Sequence, residues 1–339
     1  MAIRIAINGL GRIGRSVLRA LYERGELSRY QVVWLNEPAP TKAIAHLLKF
    51  DSTHGRFPGA VSYDDETLMI DDQAIEVHHA SDLSSLSLDG VDILIECSGR
   101  YTADQLHRLV ARDQDTVVLI SNPSQASVDD TIIFGLNHHV LNTVKRGVYS
   151  CGSCTSNAVV PIISEVKKRY SIMSGATLTL HSAMNDQPVI DAYHDDDLRL
   201  TRSAMQSMIP VETALDKGIA RLIPDLDGKL VSHSIRMPTT NVSAIDLTLE
   251  LDQDVTTEEF DLMLKDIASR YAVINLSSEP LASCDFIHDS SSAVIDRSLS
   301  TLISPTFIKI YLWFDNEWGY ANRLIDCVSY LSNSSNGDI

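Results

Sequence analysis

Two α/β domains are what the sequence predicts: a doubly wound parallel sheet, then an α+β domain whose sheet is mixed and largely antiparallel. Three observations support this. An apolar strand at residues 3–7, interrupted by Arg4, enters Gly9-x-Gly11-x-x-Gly14 and then a helical pattern. The rest of the first half alternates short apolar runs with helical ones, as parallel strands joined by crossover helices do. Beyond residue 154 the apolar segments lengthen and alternate, which suits a mixed or antiparallel sheet.

The first strand, residues 3–7, leads through Asn8 into the glycine loop. Gly9 permits the tight turn, Gly11 lets a pyrophosphate approach the backbone, and Gly14 lets the next helix pack closely on the strand. The unpaired amides of that helix start, beside Arg12 and Ile13, form an anion site. Ile13, Val17 and Leu21 share one face, and Gly25 marks its end. A second strand, residues 32–35, ends in Asn36-Glu37. An acid roughly 20 residues beyond the glycine loop binds the ribose hydroxyls of a dinucleotide, so Glu37 favours NAD over NADP. These elements predict a Rossmann-type half.

Residues 93–96 and 117–120 read as further buried parallel strands with a helix at 103–112 between them. They end in Cys97-Ser98-Gly99 and Ser121-Asn122-Pro123, small groups placed where a cofactor crosses the sheet. In the second half, 176–181, 230–237, 244–251 and 307–314 read as strands. A helix over 257–271 starts with the capping box Thr256-x-x-Glu259. The expected domains are 1–153, completed by a C-terminal helix over about 317–332, and 154–316, with a disordered tail at 333–339.

The chemistry centres on Cys151-Gly-Ser153-Cys154-Thr155-Ser156-Asn157 and on His181, at the end of an apolar strand. A cysteine is a nucleophile as thiolate, which a helix N-terminus or a neighbouring imidazolium stabilises. Residues 156–170 have helical spacing and are expected to start a helix just after Cys154. A C-x-x-C pair is also read as a redox or metal pair, but no second C-x-x-C or His pair follows at zinc spacing, and no metal site is expected.

The chain has 339 residues, a formal charge of −17 and five cysteines. That length suits two domains with cores of their own. The charge repels a phosphate backbone, which excludes nucleic acid as a principal partner. Few, odd-numbered cysteines point to a reducing compartment. No basic region followed by an apolar stretch opens the chain, and no run reaches membrane-spanning length, so a cytoplasmic protein without membrane partners is expected.

Residues 185–210 lack sustained periodicity, and a loop of that length is usually functional. It carries Arg199 and Arg202, while Arg236 ends a later strand. Guanidinium forks match phosphate oxygens, so these are candidate anion ligands against the alternative of solvated surface residues. His138-His139 and the acidic run 195–197 are read as surface residues.

Several segments together resemble the glyceraldehyde-3-phosphate dehydrogenase superfamily: INGLGRIGR at 7–15, SCTSN at 153–157, His181-Ser182, Ser-Ile-Arg236-Met-Pro, and Trp313-Phe-Asp-Asn316-Glu-Trp-Gly-Tyr-Ala-Asn-Arg323. Within it, residues 181–194 and Pro210-Val-Glu-Thr-Ala-Leu are more similar to the erythrose-4-phosphate dehydrogenases than to the glycolytic enzymes. The resemblance implies NAD-dependent oxidation of a small phosphorylated aldehyde, Cys154 forming a thioester and His181 acting as base. It implies that Arg12 and Ile13 hold the pyrophosphate and that Asn316 orients the nicotinamide carboxamide. Ser153, Thr155, Arg199, Thr213, Ala214 and Arg236 fall at substrate and anion positions. Relatives are typically homotetramers.

The chain departs from the glycolytic pattern at Met184 and Ala214, where relatives carry threonine and glycine. The loss of the hydroxyl suits a thioester released by water instead of inorganic phosphate. Leu200 replaces the second arginine of a pair, Ser81 stands near a usual arginine, and Cys151 replaces a usual asparagine. A reversible Cys151–Cys154 disulfide is one expectation from that last change. The sequence thus points to erythrose 4-phosphate oxidation feeding pyridoxal 5'-phosphate synthesis; the alternatives are a phosphorylating glyceraldehyde-3-phosphate dehydrogenase and an NAD-binding thiol-redox protein.

Overall fold

A computed structural model of the chain describes residues 2–112, 115–123, 127–144, 146–195 and 197–335. It divides into two compact units, Met1–Ser153 with Tyr320–Ile339, and Cys154–Gly319.

The first unit begins with β1 (Ile3–Asn8), α1 (Arg12–Glu23), β2 (Tyr30–Asn36) and α2 (Thr41–Lys49). A small ribbon of β3 (Phe50–Asp51) and β4 (Gly55–Arg56) follows. Then come β5 (Val61–Tyr63), β6 (Thr67–Ile70), β7 (Gln73–His78), β8 (Ile93–Glu96), α3 (Ala103–Val110), β9 (Val117–Ile120), β10 (Asp130–Thr131) and β11 (Gly147–Ser150). The main sheet has the order β10-β11-β9-β8-β1-β2-β7-β6-β5. It is parallel from β10 to β7, while β6 and β5 form an antiparallel edge. That edge was not read from the sequence, because two short, partly exposed strands give little periodicity.

Strand β1 lies between β2 and β8, so the connections leave it toward opposite sides of the sheet. The crevice at such a switch point opens beyond the strand ends, where the glycine loop sits. Val17, Leu18, Ala20 and Leu21 of α1 are buried against the sheet. The helix stops at Glu23, and Gly25 follows at φ +70°, a left-handed turn that favours glycine.

The second unit begins with α4 (Cys154–Arg169), β12 (Ile172–His181), β13 (Ile209–Val211), α5 (Leu215–Leu222), β14 (Leu230–Arg236) and β15 (Ser243–Leu251). It ends with α6 (Thr257–Arg270), β16 (Ile274–Ser277), β17 (Ala293–Ser304) and β18 (Phe307–Phe314). The sheet order is β13-β14-β12-β15-β18-β17-β16. The pairs β12·β14 and β16·β17 are parallel and the others antiparallel, which is the mixed, largely antiparallel sheet expected. Both arms of the Thr256–Glu259 capping box are formed.

Helix α4 is buried nearly all round: Ala158, Val159, Val160, Ile162, Ile163 and Val166 have no exposed surface. Each such valine or isoleucine contributes roughly 1.5–3 kcal/mol of burial, so the helix carrying Cys154 at its tip is fixed by the core. Chain terminus α7 (Trp318–Ser335) runs past the start of the expected disordered tail, residues 333–335 being helical. Residues 336–339 of that tail lie outside the described residues. Within the first unit, Tyr30 Oη donates to Ser329 Oγ at 3.0 Å and Arg24 pairs with Asp326 at 2.8 Å, which ties α7 to β2 and α1.

Candidate active site

Cys154 is the first residue of α4, so the helix begins at the cysteine itself and not after it. The unpaired amides of that first turn stabilise negative charge on the sulfur. His181 ends β12, and its ring brings Nε2 to 3.7 Å from Cys154 Sγ. Thr155 Oγ1 lies 3.9 Å from the same sulfur. His181 Nδ1 donates to the Ser182 carbonyl at 2.9 Å, because a carbonyl oxygen can only accept. Nε2 is then the acceptor in the neutral ring, directed at the thiol.

Burial pushes the Cys154 thiol up, while the Thr155 hydroxyl, the first helical amides and the Arg236 charge pull it down. Burial also holds the His181 imidazole below its ordinary value, the Ser182 bond opposes this, and Arg236 adds to it. Both shifts favour a neutral S–H···N pair at rest.

Arg236 ends β14 in register with His181 on the neighbouring parallel strand, so both side chains leave the sheet on one face. Its Nη1 pairs with Asp186 Oδ1 at 3.3 Å and reaches Gln187 Oε1 at 3.5 Å. Gln187 Oε1 also accepts from the Met184 amide at 3.1 Å. The Met184 side chain is exposed, and Ser153 is partly buried.

Arg199 and Thr213 lie elsewhere. The Arg199 guanidinium binds Asp197 at 3.0 Å, and Arg199 and Thr213 line a cleft of about 890 Å³ against β12, β14 and β18. Neither Cys154, His181 nor Arg236 lines it. The reactive pair is not in that cleft, so chemistry marks the site. Ala214 precedes α5 and is exposed, without a side-chain donor. The structure thus brings Cys154, His181 and Arg236 together, while Arg199 and Thr213 share a different surface. Asp186 and Gln187 were missed as partners of Arg236.

The cofactor residues gather at the strand ends of the first unit. Gly9 has φ +86°, and a Cβ there would lie 2.6 Å from the Ser98 backbone. A Cβ on Gly14 would lie 2.0 Å from the Gly9 carbonyl, whereas one on Gly11 would meet nothing within 4 Å. The protein's own packing therefore requires Gly9 and Gly14 but not Gly11, which is the cradle a pyrophosphate needs. Glu37 Oε2 accepts from the Leu10 amide at 2.9 Å, which places the carboxylate beside the loop. Glu37, Ser81 and Asn8 line a cleft of about 130 Å³ with Gly9 and Gly11. Arg12 pairs with the carboxylate of Asp51, and Ile13 is partly buried. The Ser121 amide donates to the Glu96 carbonyl at 2.9 Å. NAD fits these residues.

A buried chain of polar groups not read from the sequence supports the loop. Asn36 Nδ2 donates to Asn8 Oδ1 at 2.7 Å, and Asn8 Nδ2 donates to Glu96. Ser98 donates to Glu96 through its amide and its hydroxyl. Burial pushes the Glu96 carboxyl up, and these donors oppose it. A glutamate closing a fully apolar strand was the available signal.

Asn316 is buried, and its Oδ1 accepts from Ser243 Oγ at 2.8 Å and from Ser182 Oγ at 3.0 Å. With the oxygen so occupied, its Nδ2 is left as a pair of donors.

Cys151 is buried in the first unit and its thiol meets that of Cys327, which together with burial pushes Cys151 well above the ordinary thiol range. Its side-chain partner is thus Cys327, where the sequence suggested Cys154. Burial pushes Cys97 up to about 12, so it too is an inert thiol. His138, expected at the surface, is partly buried and stacks on Phe134 with ring centroids 4.5 Å apart. Asp196 of the acidic run lies outside the described residues.

Two family models match the chain. The glyceraldehyde 3-phosphate dehydrogenase NAD binding domain matches residues 3–104, and the glyceraldehyde 3-phosphate dehydrogenase C-terminal domain matches residues 153–316. The first match covers the glycine loop and Glu37, and the second covers Cys154, His181, Arg236 and Asn316. The chain belongs to the glyceraldehyde-3-phosphate dehydrogenase family and is an NAD-dependent dehydrogenase of a small phosphorylated aldehyde.

Proposed function

We propose that the substrate is erythrose 4-phosphate, oxidised to 4-phosphoerythronate through a Cys154 thioester that water releases. The observation that carries this reading is Met184, three residues beyond the base, where an exposed thioether offers an attacking phosphate no hydroxyl. Ala214, likewise without a donor, agrees with it.

As Cys154 Sγ bonds to the aldehyde carbon, His181 Nε2 takes the thiol proton and returns it to the former carbonyl oxygen. His181 then removes that hydroxyl proton as the carbon loses hydride. NAD, when bound, accepts the hydride. His181 releases that hydroxyl proton to solvent, takes a proton from the water that attacks the thioester carbon, and returns it to the Cys154 sulfur as the C–S bond breaks. Cofactor contacts are assigned to Asn8, Gly9, Gly11, Arg12, Ile13, Gly14, Glu37, Ser121 and Asn316. Ser153, Thr155 and Arg236 are assigned to substrate, with Arg236 facing its phosphate.

The unit at 1–153 is read as the NAD-binding domain and 154–316 as the catalytic domain. A cytoplasmic homotetramer supplying pyridoxal 5'-phosphate synthesis is part of the same reading, and five free cysteines suit a reducing compartment. NADH formation with erythrose 4-phosphate and with glyceraldehyde 3-phosphate, each with and without inorganic phosphate, tests it. The expected result is turnover of the four-carbon sugar without phosphate. Turnover of the triose alone, and only with phosphate, would make this a phosphorylating glyceraldehyde-3-phosphate dehydrogenase.

A further inference from the structure

We infer that Asp315 is a positioning residue, a buried carboxylate that fixes the amide of its neighbour Asn316 for the cofactor. The inference rests on the assignment of Asn316 above and extends it to the groups that hold that amide in place. Asp315 follows the last residue of β18, stands just before α7 and is buried. Its Oδ1 accepts from the amides of Glu317 at 2.9 Å and Trp318 at 2.7 Å, so the turn that carries Asn316 closes onto this side chain. Its Oδ2 accepts from Asn241 Nδ2 at 2.8 Å and from the His288 amide at 2.7 Å, which ties in two more segments.

The segment 241–243 matters most. Ser243 Oγ donates to Asn316 Oδ1 at 2.8 Å, and Asn241, two residues earlier, is held by Asp315. One carboxylate thus fixes both the backbone around Asn316 and the segment that delivers a side-chain partner to it. Between Asn241 and Ser243 stands Val242 at φ +65°, in the left-handed region that a β-branched residue rarely adopts. His288, whose amide Asp315 accepts, has φ +69°. Among the described residues, these two are the left-handed non-glycine positions of the unit, and both lie on segments bound to Asp315. Such backbone persists only where its surroundings over-determine it. Asn241 Oδ1 is buried without a hydrogen-bond partner among the described residues, so the bond to Asp315 is what orients that amide. A support of this kind is in place before a ligand arrives, and binding then costs less ordering of the Asn316 amide. In Asp315→Asn one oxygen becomes an NH2 that cannot accept. Whichever way that amide turns, either the Glu317 and Trp318 amides or the Asn241 and His288 donors lose their acceptor.

Calorimetric titration of the full-length protein, stripped of bound nucleotide, with NAD and with ADP-ribose tests this, since ADP-ribose lacks the nicotinamide. Asn316→Ala is expected to weaken NAD binding about five- to tenfold, the loss of a hydrogen bond, and Asp315→Asn about as much. Asn241→Ala keeps the carboxylate and its other partners, and should weaken NAD about threefold. ADP-ribose should stay within about twofold of wild type in every variant. Adding either change to Asn316→Ala should cost no further NAD affinity, because the amide through which both act is gone. NAD affinity of both Asp315→Asn and Asn241→Ala within about twofold of wild type, an equal loss with ADP-ribose, or an additive loss in the Asn316→Ala background would overturn the inference. If Asp315→Asn does not fold, Asn241→Ala decides by the same limits. Wild-type NAD affinity in Asn316→Ala removes Asn316 from the cofactor and the inference with it. A loss there, with none in the other two variants, removes the inference alone.

Discussion

His181 Nδ1 donates to the carbonyl of its neighbour Ser182 at 2.9 Å, and this one bond decides which ring nitrogen faces Cys154. Since the partner is backbone, no side-chain substitution elsewhere reverses the tautomer. Replacing the ring by His181→Gln keeps a polar group but no base of suitable strength. The expected loss in kcat is about 10²–10⁴-fold, with alkylation of Cys154 by iodoacetamide slowed but still complete. Steady-state kinetics and mass spectrometry of the alkylated protein check both.

Acid should destabilise the protein partly through the same residue. Burial keeps the native imidazole below its ordinary 6.5, so the unfolded chain binds this proton more readily. The stability linked to His181 is fully present above about pH 6.5 and is lost as pH falls through that value toward the native one. Urea unfolding of wild type between pH 7 and 5 should therefore show a steeper decline than unfolding of His181→Gln. Parallel declines would mean that the native ring is not held neutral.

Two glycines of one loop should respond oppositely to alanine. At Gly14 the added methyl would lie 2.0 Å from the Gly9 carbonyl, so the loop must shift, at a cost of about 1–3 kcal/mol in thermal or denaturant unfolding. At Gly11 the methyl enters open space. Gly11→Ala should unfold like wild type but lose about tenfold or more in NAD affinity, because the methyl stands where the pyrophosphate approaches. Fluorescence titration with NAD beside thermal melts separates the two effects.

Asn316→Asp should fold and yet be impaired. A carboxylate still accepts the hydroxyls of Ser182 and Ser243, but it cannot donate as the amide nitrogen does. If that nitrogen positions the cofactor ring, kcat should fall about 10-fold to 100-fold. Ser243→Ala should have a smaller effect in the same direction, since Ser182 still fixes the amide. Normal turnover in Asn316→Asp would remove Asn316 from the site.

Much of this was legible in the amino-acid order, because some physical demands are local. Phe307–Phe314 alternates and forms a strand over that very range, and Thr256 with Glu259 caps a helix by chemistry four residues wide. Cys154 and His181 stood out because a nucleophile needs a helix start or a base nearby. The Asn36, Asn8, Glu96 and Ser98 chain did not, since it depends on which strand ends become neighbours. The arginines show the same dependence on neighbours: Arg199 pairs with Asp197, while Arg236, farther along the chain, is brought beside His181 by strand pairing.

That strand pairing acts as a ruler. Adjacent strands stand about 4.8 Å apart whatever side chains they carry, so the offset between the base and the anion-holding guanidinium is set by the backbone lattice of the sheet. Evolution within such a scaffold can move the mouth of the site by editing the loop after His181, as Met184, Asp186 and Gln187 exemplify, but not the gauge itself. Aldehydes of different length must then be distinguished by how the loop lets the chain fold back onto a fixed pair of marks.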